Sequence, residues 1–279
     1  MSVESDRLLE HRRLWRGRPA LRAVYATWFD LVLDELKAHA CVVEVGAGPG
    51  FLGEHARLHR PDLRWVATDL LAVPWNDAVA DALRLPFRDR SVDAVVGLDV
   101  VHHLADPGRF FEGAARALAP GGRLLFVEPW VTPFSYPIYR WLHQEGCTLA
   151  LDPWHPFPGA GKNPWDGDAA VPWGLVGKTP KTRWPALGLA APGVRLLNCF
   201  AYLATLGFRE RSLLPEGVIR LLQAVDERST ALAPLVGLRA VLTWRRSGDV
   251  ETRGAAGPGE REGQQGEEAG GGDQQADRD

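Results

Sequence analysis

The chain is poor in cysteine and has no long apolar run, and the two absences exclude a good deal. Its three cysteines, Cys41, Cys147 and Cys199, contain no CxxC pair and leave an odd count. Neither a disulfide framework nor a metal site is expected from them; reduced, mostly buried thiols are. No run of about 18 apolar residues occurs, and Ser2 to Arg18 is charged, without an apolar h-region. Neither a membrane span nor a secretory signal is indicated, and a cytoplasmic location is expected. There is also no basic stripe and no basic patch interleaved with aromatics, and the formal net charge is only −3. That balance disfavours a nucleic-acid partner. The last stretch, 247–279, has no aromatic residue, nine glycines, nine acids and three arginines. Such a composition buries too little apolar surface to offset its ordering entropy, so a disordered acidic tail is expected.

What is present suits a globular protein. With 279 residues, 46% of them hydrophobic, the chain has enough apolar surface for a substantial core. Residues Glu4 to Lys37 carry apolar side chains at helical spacing, and Pro19 divides them into two helices, an N-terminal cap over residues 1–39. From residue 40 strands and helices alternate. Strands are predicted at Cys41 to Val45, Arg64 to Thr68, Ala78 to Ala82, Val92 to Leu98 and Arg123 to Glu128. Helices are predicted at about Phe51 to His59 and from the Asp106-Pro107 cap through Leu118. Continuous apolar strands separated by helices predict a parallel sheet covered on both faces.

Residues 129–192 break this pattern, with 11 of the 21 prolines and six of the 11 tryptophans. An ordered insertion is predicted there, a helix at Ser135 to Leu149 followed by an irregular segment to Pro192. A helix at Gly193 to Leu206, a strand at Phe208 to Leu213, a helix at Pro215 to Leu232 and a strand at Leu238 to Arg245 complete a domain spanning 40–246. The last two strands are expected to form an antiparallel edge.

The chemistry concentrates where the first strand ends. Val42-Val43-Glu44-Val45-Gly46-Ala47-Gly48-Pro49-Gly50 runs from an apolar strand through an acid into a glycine turn. Glycines at 46, 48 and 50 permit positive φ and close approach of backbone to a ligand. A dinucleotide fingerprint of the GxGxxG type requires glycine at 51, where this chain has Phe51, which weakens a nicotinamide reading. Asp69 and Asp81 end the next two apolar runs, and Asp69 lies near the roughly 20-residue offset of an acid that binds ribose hydroxyls. Three carboxylates at consecutive strand ends would crowd like charge without a ligand to hold them.

Together with Ala80-Asp81-Ala82-Leu83-Arg84-Leu85-Pro86-Phe87, Ser91 to Leu104 and Leu118 to Pro129, the glycine run resembles the class I S-adenosylmethionine-dependent methyltransferases, in the branch acting on diverse small molecules. The resemblance spans about residues 40 to 130. It implies an α/β, Rossmann-like seven-stranded, mostly parallel sheet with helices on both faces, an antiparallel edge strand and an inserted helical or irregular cap. It implies S-adenosyl-L-methionine as cofactor. Glu44 and the backbone of Gly46, Ala47, Gly48 and Gly50 would hold the amino-acid end, and Asp69 the ribose hydroxyls. Asp81 and the Ala82 N–H would read the adenine edge, Leu70 would pack on the ring, and Asp99 would border the site. The segment between Asp69 and Asp81 is shorter than the helix such proteins usually place there.

Transfer from an activated sulfonium requires alignment and exclusion of water, and no metal. His102 and His103, just past the fourth strand, are the candidate general bases, each weighed against a packing role. The expected partner is a small, rather apolar acceptor methylated on O, N or C. A cofactor-binding subunit without catalysis and a nicotinamide-dependent oxidoreductase are the alternatives.

Overall fold

A computed structural model describes residues 3–157, 163 and 165–247; the expected disordered tail, beyond Ser247, lies outside the described residues. Seven strands form one sheet: β1 (Cys41–Glu44), β2 (Arg64–Asp69), β3 (Ala78–Val79), β4 (Val92–Leu98), β5 (Leu118–Pro129), β6 (Gly193–Leu197) and β7 (Arg239–Arg245). Their order is β3-β2-β1-β4-β5-β7-β6. The first five pair in parallel, whereas β7 runs antiparallel between β5 and β6. The order reverses at β1 and β4, and a crevice at such a reversal is where open α/β sheets bind ligands.

Alternation along the strands serves two cores. Val42, Ala94 and Leu125 join a cluster with α2 (Pro19–Leu33) and α3 (Phe51–His59). Val43, Val95 and Leu124 face the other way, onto α4 (Pro107–Ala117) and the insertion residues Trp154, Val171, Leu175 and Trp184. Before α2, α1 (Val3–Arg16) ends two residues short of Arg18, and Pro19 opens α2 as expected. α4 begins at an Asp106 cap whose carboxylate accepts from the Arg109 N–H at 2.9 Å. Among the described residues no helix is long and apolar enough to cross a membrane.

Five expectations need correction. Gly193 to Leu206 is a strand followed by a helix at Phe200–Thr205, because residues 193–197 find a partner in β7 that local sequence does not reveal. Phe208 to Leu213 is not a strand; Phe208 instead stacks on His11, with ring centroids 4.4 Å apart. The helix over Ser135 to Leu149 shrinks to one turn at Ser135–Pro137 and a π-helical turn at Ile138–Leu142, where His143 leaves in an extended conformation. The irregular segment contains short helices at Val171–Gly177 and Arg183–Ala186. β3 is shortened to two residues, and no helix forms between β2 and β3, in line with the short connection.

Candidate active site

The turn after β1 has the backbone that its glycines permit. Gly46, Gly48 and Gly50 have φ of 60°, 51° and 80°. A Cβ at Gly46 would lie 2.7 Å from Val100, and one at Gly50 would lie 2.6 Å from Trp75, whose indole N–H donates to the Gly48 carbonyl at 2.8 Å. At Gly48 the nearest atoms would be 3.9 Å away, so the backbone there stands open. The Gly48 N–H donates to Asp69 Oδ2 at 2.8 Å, and the Leu71 N–H to Asp69 Oδ1 at 2.9 Å. These bonds fix the carboxylate at the tip of β2 and leave lone pairs for a further donor.

Glu44 is buried at the end of β1 and accepts from the Trp65 indole N–H at 2.8 Å. Burial raises its carboxyl to about 8, against the opposing influence of Trp65 and Arg57. A buried acid poised in this way favours a cationic ligand group. Asp81 caps the turn at Ala82–Arg84, accepting from the Leu83 N–H at 2.8 Å. Leu70 is 53% exposed and borders the same cavity.

That cavity, about 1370 Å³, runs from Glu44, the glycine loop, Asp69 and Asp81 past Asp99 to the histidines, and is lined on other sides by Leu8, Leu142, Trp165 and Phe208. Leu8 of α1 comes within 3.9 Å of a Gly48 Cβ position. Arg12 ties the same helix down, donating to the Pro49 carbonyl and to Glu54 Oε1, both at 2.6 Å, with its guanidinium 4.6 Å from the Trp75 ring.

Asp99 leaves β4 with φ of 56°, and both its oxygens accept from Arg239, at 2.6 and 3.0 Å. Arg239 is buried and lies over Trp28 and Tyr202, so the ion pair joins the end of β4 to β7. Sequence reasoning missed Arg239; a lone arginine opening an apolar strand was the available signal.

His102 and His103 follow on one short turn, ring centroids 4.1 Å apart. His102 Nδ1 donates to Glu128 Oε2 at 2.6 Å, while Glu128 Oε1 accepts from the Val100 and Val101 N–H groups at 2.9 and 2.8 Å. His102 Nε2 lies 3.1 Å from Glu145 Oε2, an ion-pair contact too bent for a hydrogen bond. Burial alone would depress His102, but the Glu128 and Glu145 carboxylates outweigh it and raise the imidazole to about 10. Burial, reinforced by the charge of His102, lowers His103, whose Nδ1 donates to the Asp166 carbonyl at 2.9 Å. Against the effect of burial, His102 and His103 hold Glu145 down at about 2. Glu145 was not foreseen: it sits in a loop far along the chain and carries no local signal.

Residues 43–126 match the family model described as a methyltransferase domain. An uncharacterized methyltransferase of Mycobacterium sp. (strain JLS) is 33% identical over 170 residues, which are 54% of this chain and 67% of that protein. A probable tRNA methyltransferase 9B of Mus musculus is 32% identical over 101 residues, 33% of this chain; the chain spans only 22% of the length of that relative. A solved SAM-dependent methyltransferase from Archaeoglobus fulgidus aligns over 80% of this chain and 94% of its own, at 16% identity and TM-score 0.49.

Proposed function

Since the chain belongs to the S-adenosylmethionine-dependent methyltransferases, we propose that it moves a methyl group to an O, N or C atom of a small, rather apolar molecule held beside the histidines. The observation that carries this reading is the cavity. Its volume, about 1370 Å³, exceeds the roughly 300–1,000 Å³ of ordinary ligand sites, which supports room for cofactor and acceptor together. The carboxylate and glycine row borders one end, and a polar floor of Asp99, His102 and His103 beside apolar walls borders the other.

In this reading Glu44 and the open backbone of Gly46, Ala47, Gly48 and Gly50 hold the amino-acid end of the cofactor. Asp69 takes the ribose hydroxyls, Asp81 and the Ala82 N–H read the adenine edge, and Leu70 covers the ring. Asp99 acts by fixing Arg239 at the border between the two ends. The cofactor supplies an already activated methyl group, so the chain's remaining task is to align the acceptor for in-line displacement and to exclude water. Residues 1–39 contribute α1 as a lid through Leu8 and Arg12, and 129–192 serve as the acceptor cap. Of the two candidate general bases, His103, lowered by burial, suits receipt of an acceptor proton, whereas His102, raised to about 10, is already protonated near neutral pH and serves the floor as a charged neighbour. The similarity to a probable tRNA methyltransferase gives a second reading, a tRNA acceptor, but it is confined to 101 residues.

Two measurements test the proposal. Calorimetric titration should give binding of S-adenosylmethionine and none of NAD; the reverse would remove the cofactor assignment. Transfer of a tritiated methyl group should then label an organic-soluble fraction of a metabolite extract. Label in bulk tRNA or in protein would move the acceptor to that class, and cofactor binding without label in any fraction would favour a non-catalytic subunit.

A further inference from the structure

We propose that His102 Nε2, His103 Nε2 and a carboxylate oxygen of Glu145 bind one divalent first-row transition ion at the floor of the cavity. His102 and His103 share one short turn and Glu145 comes from a distant loop, yet the ligand-type atoms of all three lie within 4.8 Å of one another. His102 Nε2 is 3.1 Å from Glu145 Oε2, and His103 Nε2 is 3.7 Å from Glu145 Oε1. With metal–ligand bonds of about 2.0–2.2 Å, ligand atoms around one ion stand about 3.0–3.5 Å apart, so small side-chain adjustments close the set.

The outer contacts are those that metal-bound histidines show. Each imidazole has its Nδ1 engaged by an acceptor, His102 with Glu128 Oε2 and His103 with the Asp166 carbonyl. With Nδ1 engaged, Nε2 is the nitrogen that turns toward Glu145, and on His102 an incoming ion would displace the proton held there. Glu128 is itself gripped by two backbone N–H groups. Gly167 permits the approach of the Asp166 segment, since a Cβ there would lie 2.9 Å from His103 Cε1 and 3.0 Å from His102 Cδ2.

Glu145 supplies the third, independent observation. Its Oε2 is buried and makes no well-formed hydrogen bond, its contact being the His102 imidazole at 3.1 Å, whose Nε2 proton an ion would displace to bridge the two groups. Two imidazoles and one carboxylate suit zinc, iron(II), manganese or cobalt over magnesium or calcium, which prefer all-oxygen shells. All three residues line the cavity, where an acceptor oxygen would complete the shell. No short-range motif announces such a site, because the ligands are brought together by the insertion, and the sequence alone led us to expect no metal.

The inference concerns the acceptor end and stands apart from the cofactor residues. The test uses the full chain, freed of affinity tag and stripped with chelator, titrated with zinc chloride by calorimetry and with cobalt(II) by visible absorption. One equivalent should bind, with ligand-field bands of a nitrogen- and oxygen-ligated ion. His103→Gln and Glu145→Gln should each weaken zinc binding by more than the roughly 10–100-fold seen for outer-contact losses, while His155→Gln at an exposed His–Asp pair leaves it unchanged. Melting curves confirm that the variants fold. Absence of binding, or binding that survives both floor substitutions, would overturn the site and leave Glu145 as an ion-pair partner. S-adenosylmethionine titrated into the same preparation reports on the cofactor end separately, so failure of the metal site and failure of the methyltransferase reading are distinguishable.

Discussion

At the scale of single residues, Glu44 sets a pH dependence whose sign is fixed by burial. Its folded-state carboxyl is raised to about 8 from an ordinary 4.5. Between these values the folded chain retains a proton that the unfolded chain has released, so stability falls as pH rises through that window. Without cofactor, the melting temperature should decline across it, and the decline should flatten in Glu44→Gln. If Glu44 meets the ammonium of the cofactor, binding near neutral pH expels that proton. Calorimetry in buffers of different ionisation enthalpy should then register proton release in the parent and none in the variant. Asp69→Ala should weaken cofactor binding by about 1–3 kcal/mol through unpaired ribose hydroxyls; unchanged affinity would remove that role. Gly50→Ala combines a left-handed backbone with a 2.6 Å approach to Trp75. It should cost about 1–2 kcal/mol in the loop, read as weaker cofactor binding.

At the scale of elements, the Asp99–Arg239 pair holds the end of β4 against β7, with Arg239 almost wholly buried. Asp99→Ala would strand a buried guanidinium, a loss of about 3–5 kcal/mol, measurable as a lowered urea midpoint. Elements with strong local signals were legible: α1, α2, β1, β2, β4, α4 and β7 fall within a few residues of expectation. The Pro19 and Asp106-Pro107 boundaries, the apolar runs and the helical periodicity reside in contiguous residues. β6 was not legible, because Gly193–Leu197 is a strand only by virtue of β7, with Val194 opposite Leu242 and Leu196 opposite Ala240. The insertion was visible as a change in proline and tryptophan content, but its path was not.

At the scale of the whole molecule, two apolar clusters sandwich the sheet, and Trp244 lies fully buried in one of them, with rings of Phe111, Phe126 and Trp184 around it. Trp244→Ala should cost about 3–5 kcal/mol, seen in urea unfolding, without altering the residues that line the cavity. The acidic, glycine-rich stretch offers little apolar surface by composition. A chain ending at Ser247 should keep the melting temperature and cofactor affinity of the full chain, and a large loss in either would assign the stretch a structural role.

The sequence by itself determined the end of the cavity proposed for the cofactor. There the functional groups lie at strand tips within one run of alternating elements, and the need for positive φ and strand-end acids leaves a local imprint in Glu44, Gly46, Gly48, Gly50, Asp69 and Asp81. Only the tertiary structure decided the end proposed for the acceptor. Glu145, Asp166, Gly167 and Arg239 reach His102, His103 and Asp99 from distant segments. Contacts between such segments depend on chain packing in three dimensions, and no periodicity or spacing in the sequence records them.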